Sequence, residues 1–394
     1  MGNLKHKGNI EVTDGNITID GQPIGGGGGI EGTQYIFVSA NGTPIENAQE
    51  LQDAYDEAKT LLPTSDNRIT IIAAPGNYNF NSNFVMDAEY IDLVSLDGNR
   101  SIIFNGSDTI DIKEDNIKVI GVDTETKPFL ITEDNLDNLV LIRCKGGNNS
   151  FGSNSTGTTG NIISGTFIEC ECGNNSVGNG NTGDIQGAEF YRCKFGNSCL
   201  SPWNTSGVNV KLIDCETSGG ILSVPTGPNT YVEGGVYRQI GAIGPGIIDG
   251  LWVNVKAGNG SFGGFGTSIG KFYNCICSDE FGMSTSVGGW GENANGEYYN
   301  CHSYFNDNTD TFGYSSASGV FYNCTTNYAG FGKTGTTSGT FTNCVGGAGS
   351  FASNGTLSGK LYNCRLTSGT FQTVSGGGVT VLCIDGNNQI NTQN

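Results

Sequence analysis

Gly-Lys-Phe-Tyr-Asn-Cys at 270–275 returns as Gly-Val-Phe-Tyr-Asn-Cys at 319–324, Gly-Thr-Phe-Thr-Asn-Cys at 339–344 and Gly-Lys-Leu-Tyr-Asn-Cys at 359–364. Self-similarity at a period of about 20 to 23 residues specifies identical units stacked on one another, each burying its apolar face against its neighbours.

Working outward, the phrase aligns on Cys144, Cys170, Cys193, Cys215, Gln239, Val255, Cys275, Cys301, Cys324, Cys344, Cys364 and Cys383. Three positions earlier stand Leu141, Phe167, Phe190, Leu212, Val236, Trp252, Phe272, Tyr298, Phe321, Phe341 and Leu361. Strand alternation puts residues three apart on opposite faces, yet both columns are apolar. A bend between them resolves the conflict. The residue before the Cys is Asn254, Asn274, Asn300, Asn323, Asn343 and Asn363 in six copies, and Asn is the non-glycine residue that best tolerates left-handed backbone angles. The pattern predicts a corner there and an Asn ladder running from coil to coil. A second apolar mark, seven residues after the Cys, comprises Phe151, Val177, Leu200, Leu222, Phe262, Phe331, Phe351 and Phe371, and predicts at least two inward strand segments per turn.

Charge tests the stacking independently. Arg143, Glu169, Arg192, Asp214 and Arg238 precede the aligned position, and Lys145, Glu171, Lys194 and Glu216 follow it, so both columns alternate in sign. In parallel rungs ~4.8 Å apart each charge meets its opposite above and below, worth ~0.2 to 1 kcal/mol per pair.

The chain has 394 residues, 64 of them Gly, with 36% hydrophobic and 14% charged residues; the apolar content supplies a large core, and the glycine argues against long helices. A net charge of -19 repels phosphate backbones and anionic bilayers, so neither nucleic acid nor membrane is expected as a partner. No apolar run reaches the roughly 18 to 20 residues of a membrane span, and the first residues lack a secretion signal; synthesis in a cytoplasm is expected. The 13 cysteines fall mostly at one repeat position and read as small buried side chains, not as disulfides or metal ligands. No metal or cofactor is expected.

Residues 8–24 alternate on both sides of an Asp-Gly turn and predict short strands, followed by a hinge at Gly25 to Gly29. Ala48, Leu51, Tyr55, Ala58 and Leu62 then recur at helical spacing, with Asn47 and Glu50 as a capping box and Pro63 as the stop. Residues 68–78 read as a strand with a Pro-Gly turn, and further strands are expected at 102–104, 110–112 and 117–119. The expected organisation is a leader and hinge at 1–33, a capping helix with the first rungs at 34–120, and the repetitive array at 121–394.

Helix, strand with Pro-Gly-Asn-Tyr at 75–78, and Phe-x-Asn-Cys coils together resemble the right-handed parallel β-helix proteins of the pectin-lyase-like class, over about residues 34–390. The resemblance implies an all-β fold, a single-stranded right-handed parallel β-helix with an N-terminal capping helix, of ~14 rungs and ~65 Å. The leader is similar to the amino-terminal attachment segment of tailed-phage fibre and spike proteins. That likeness implies a homotrimer located in the virion, bound to other virion proteins through residues 1–30 and contacting host surface polysaccharide. Residues 385–394 read as a polar tail, where phage tailspikes commonly continue into a further domain. This departure favours a short fibre, capsid decoration or minor tail component over a polysaccharide depolymerase, the lyase or glycosidase that is the alternative.

Tyr273, Tyr299, Tyr322 and Tyr362 stand two residues before the Cys, interrupted by Thr342, and by the corner geometry point outward. Stacked tyrosines suit a sugar face or the interface of a trimer, and the interface is favoured. No catalytic residue is assigned: the carboxylate pairs Glu169/Glu171 and Asp214/Glu216 belong to the alternating columns. The oxygen-rich 306–310 segment lacks calcium-loop spacing, and the G-x-G-x-x-G at 330–335 lacks a following helix.

Overall fold

The computed structural model describes residues 10–13, 16–19, 22–24 and 33–393, except 107–108, 133–135, 153–163, 178–184, 201–208, 222–225, 238, 241–246, 259–261, 263–265, 279–292, 305–311, 314, 328–329, 333–334, 349, 353–354, 372–373 and 376. The chain is an all-β parallel solenoid with one helix near its N-terminus, the fold class that the repeat implies.

Parallel pairing runs unbroken from Thr33–Val38 through Arg68–Ala73 and Ile91–Ser95, coil by coil, to Val379–Ile384. A second ladder starts at Gly76–Tyr78 and reaches Arg365–Leu366. A third sheet appears in sections, Phe84–Met86 to Leu130–Ile131 early and Ile247–Ile248 to Thr356–Leu357 late. In the leader, Ile10–Thr13, Asn16–Ile19 and Gln22–Ile24 form an antiparallel three-stranded meander.

Each letter of the repeated phrase has a place. Phe272 is buried, Tyr273 faces out, Asn274 is exposed at a corner with φ 53°, and Cys275 is buried again. Inside, like stacks on like: Phe272 on Tyr298 at 5.0 Å and 4°, Tyr298 on Phe321 at 4.7 Å, and Phe321 on Phe341 at 4.7 Å. A second stack, Phe312, Phe331 and Phe351, meets the first edge-on, as between Phe331 and Phe341 at 5.3 Å and 68°. Offset and edge contacts of this kind add to the burial of the rings. None of the 13 cysteines forms a disulfide, and all are buried. Their thiols donate into the preceding coil, Cys301 to the Phe272 carbonyl at 3.4 Å and Cys324 to that of Tyr298 at 3.3 Å. The Gly that opens the phrase makes room for stacking: a Cβ on Gly319 would lie 2.1 Å from the Gly296 carbonyl oxygen, and one on Gly339 2.3 Å from that of Gly319.

Several expectations need correction. Val236 pairs with Glu216 and Lys256, so this coil turns at Gly234 and Gly235, and its inward residue is Val232; Gln239 and Val236 do not occupy the Cys and Phe columns, and Arg238 lies outside the described residues. The physical reason is that glycine accepts the left-handed corner as readily as Asn, with φ of 65° and 81° here. The second apolar mark sits in turns instead of strands. Phe151, Val177, Leu200, Phe262 and Phe351 all hold φ between 52° and 58°, forming a further corner with the side chain turned into the core; Leu222 lies outside the described residues.

The helix spans Pro44–Thr60, starting three residues before the expected cap: Thr43 is the N-cap, boxed with Glu46, and Pro44 takes the first turn, where its missing N–H costs nothing. Asn47 is buried instead, accepting from the Gly42 amide at 2.9 Å and donating to the Asn77 carbonyl at 3.0 Å, which ties the helix to the strand Gly76–Tyr78. Leu51, Tyr55 and Ala58 are buried, whereas Leu62 lies beyond the helix and is exposed. The supposed polar tail includes the strand Ile390–Gln393, which returns antiparallel along Val379–Ile384 through a turn whose amides bond to the Asp385 carboxylate. It pairs with the last parallel strand of the ladder.

Candidate functional site

The corner column changes chemistry along the rod. In the late coils the Asn274 Nδ2 donates to the Asn254 Oδ1 at 3.1 Å, Asn300 to Asn274 at 3.1 Å, Asn323 to Asn300 at 3.1 Å and Asn363 to Asn343 at 2.9 Å. In the early coils the corner carries Arg143, Glu169, Arg192 and Asp214, all with φ from 52° to 55°. Arg143 and Arg192 both donate to Glu169, and together with Arg143 first they hold its carboxyl below the usual range against the opposing effect of burial. After the corner, register places Lys145, Glu171, Lys194 and Glu216 on successive strands, but Glu171 takes Arg100 at 2.7 Å while Lys145 takes Asp123 at 3.4 Å. Glu169 and Glu171 are thus engaged by arginines.

Next to the corner, on the outer face of the long ladder, lies one vertical column. Register takes it from Val94 through Ile120, Ile142, Ile168, Tyr191 and Ile213 to Glu233 and Val253. It goes on through Tyr273, Tyr299, Tyr322, Thr342 and Tyr362 to Val381. The structure brings the four sequence-derived tyrosines into this line. Tyr273 and Tyr299 stack at 4.9 Å and 5°, Tyr299 and Tyr322 tilt at 6.4 Å, and Tyr322 and Tyr362 are the most open, 42% and 37% exposed. The sequence reading missed that Ile142, Ile168, Tyr191 and Ile213 continue the column. The signal was present, since each stands two residues before an aligned Cys.

Two positions back along the same strands, charges occur in matched pairs: Lys211 with Glu189 at 3.4 Å and Lys271 with Glu297 at 3.2 Å. Around the first pair the face is richest in polar chemistry. The Lys211 ammonium donates to the Tyr191 hydroxyl at 2.7 Å and sits 5.0 Å from its ring centre; the Tyr191 hydroxyl bonds to Glu189, and Tyr231 donates to Glu233 at 2.7 Å. The Tyr191 hydroxyl, assisted by Glu189, raises the Lys211 ammonium, and Glu233 raises the Tyr231 phenol.

The strands here are longer, Gln186–Tyr191 and Asn209–Ile213, and a bulge at Gly187, with φ 79°, breaks their register. Beside it opens a cavity of about 420 Å³ lined by Gly187, Glu189, Asn209, Lys211, Asn229 and Tyr231. A ring, two amides, a carboxylate and an ammonium around one hollow can hold a sugar by stacking and hydrogen bonds. Bulges commonly re-aim side chains at such places. The carboxyl groups that shift, Glu46, Asp87, Asp97 and Glu169, all move down, away from what a general acid needs at neutral pH.

Among the described residues no cluster of three or more His, Cys, Asp or Glu side chains could hold a metal ion, and no helix is long and apolar enough to cross a membrane. The 306–310 segment and part of 330–335 lie outside the described residues. No protein-family model, curated protein or solved structure matches the chain.

Proposed function

We propose that the chain is a structural protein of a tailed-phage virion, a right-handed β-helical fibre, spike or capsid decoration that is attached through residues 1–30, assembles as a homotrimer and touches host-surface polysaccharide. The observation that carries this reading is the solenoid itself: coil after coil, the interior is spent on stacked rings and thiols, and the corners on ladders that set register. Such a body is a stiff spacer. The hollow beside Gly187 offers a glycan contact. Antibody labelling of purified particles, with copy number from quantitative mass spectrometry, tests it. Labelling at the capsid or tail in multiples of three is expected; absence from the particle overturns it.

A depolymerase is the second reading. Glu189 lines the hollow and Glu233 accepts from Tyr231 beside it, which puts two carboxylates on this polar face. Sustained loss of capsule viscosity with purified protein would establish it.

A further inference from the structure

We propose that the outward column from Val94 to Val381 is a self-association surface, covered in the assembled protein by a second copy of this chain. The inference rests on the oligomeric fibre reading and gives that oligomer its contact face.

Composition comes first. The column is aliphatic in the early coils and tyrosine-rich in the late ones, with Glu233 its one charged member, in a chain whose net charge is -19. Leu251 and Val320, on the same strands two residues before column members, add exposed apolar surface. Two of the charge pairs that flank the strip, Lys211 with Glu189 and Lys271 with Glu297, are already satisfied within the chain, while Lys360 is exposed and can stay at the rim. A charge buried with its partner avoids the large cost of one buried alone. Protein interfaces show this combination, with aromatic anchors and few unpaired charges at the core.

Length and area then choose the occupant. The column continues through successive coils, ~60 Å at the strand spacing of ~4.8 Å. A strip about 10 Å wide gives ~600 Å² per copy, or ~1,200 Å² in all, the lower edge of stable specific interfaces. Covering it requires a partner as long and with the same repeat, and another copy of the chain has both.

The test is light scattering of the full chain at micromolar concentration, with Ile168→Lys and Tyr299→Lys. Both side chains point away from the core, so far-UV circular dichroism should stay as in the parent, and any fall in the melting midpoint should follow the loss of association. The parent should have the mass of two or three chains, and each variant should weaken association by roughly tenfold or more. Thr325→Lys, outward on the other sheet, should keep the parent mass. A monomeric parent overturns the proposal, as do folded lysine variants that retain the oligomer. A monomer that labels the virion removes the interface alone; an oligomer missing from particles removes the virion reading alone.

Discussion

The Arg192 Nη2 lies 2.9 Å from the Glu169 Oε1, with both residues in the left-handed conformation at one corner of successive coils. An ion pair here does what a pair of asparagine amides does in the late coils, joining one turn of the backbone to the next. It is also the most pH-sensitive version of the device. Because Arg143 and Arg192 hold the Glu169 carboxyl below its ordinary value, its stabilisation is fully present above the unfolded carboxylate range, near ~4.3, and is lost as pH falls through the depressed folded value. The side chains are more than a third exposed, so the effect is screened. Glu169→Gln should cost ~0.5 to 1 kcal/mol at neutral pH in urea unfolding, less in high salt. Parent and variant should converge below pH ~3.

The asparagine corner combines two contributions, and a pair of substitutions separates them. Asn300→Ala removes amide bonds to Asn274 and Asn323 and puts an alanine at φ 52°. Asn300→Gly removes the same bonds but relieves the backbone. Left-handed strain and lost hydrogen bonds are each of order ~1 kcal/mol, so Ala should cost ~1 to 3 kcal/mol and Gly clearly less. Melting midpoints in the order parent, Gly, Ala check this.

Much of this could be read from the repeat. Phe, Tyr, Asn and Cys of 272–275 took their in, out, corner and in places because spacing and burial preference are properties of the strand itself. Less legible were features that depend on where the next coil lies. Nothing local to Val177 or Phe151 marks a left-handed corner, since bulky and β-branched residues avoid that region unless packing imposes it. Gly234 and Gly235 stood outside the alignment because Asn and Cys had been replaced together. The hollow beside Gly187 needs three coils to form, with contributions from Glu189, Lys211 and Tyr231.

Thiol chemistry gives a further expectation. All 13 cysteine side chains are enclosed, out of reach of a reagent in the folded chain; burial pushes Cys172 and Cys301 well above the ordinary thiol range, while against the same burial neighbouring hydrogen bonds draw Cys144, Cys193 and Cys324 below it. A thiolate within reach is the reactive species, so the folded chain should resist an aromatic disulfide reagent and release the full complement of 13 only on unfolding. Rapid labelling of several cysteines in the native chain would contradict the enclosed column.

The glycine that opens each phrase should be as intolerant as the residues that fill the core. Gly319 has no left-handed angle to justify it; its reason is the carbonyl of Gly296, 2.1 Å from where a Cβ would stand, with Gly339 and Gly359 in the same relation one coil on. Gly319→Ala must therefore push two stacked backbones apart at a position where both are hydrogen-bonded. A loss of ~2 kcal/mol or more is expected, in the range of overpacked cores. An exposed glycine with open space around it, Gly369→Ala, controls for chain entropy, although its φ of 79° carries its own strain.

Gly235→Cys restores the commonest residue of its column and should nevertheless destabilise the protein. In the neighbouring coils Cys215 and Val255 fill this position, so the repeat alone recommends the change. The backbone there has φ 81°, and a Cβ would come within 2.2 Å of the Cys215 carbonyl oxygen and 2.9 Å of the Tyr237 hydroxyl. Tyr237 is fully buried, so the new side chain would have to displace both the backbone and the Tyr237 hydroxyl. A cost of ~2 to 4 kcal/mol follows from overpacking and left-handed strain together. Tyr237→Phe in the same background keeps the ring but removes the hydroxyl from the contact. It should recover part of the loss in thermal unfolding, and no recovery would leave the backbone clash as the whole cause.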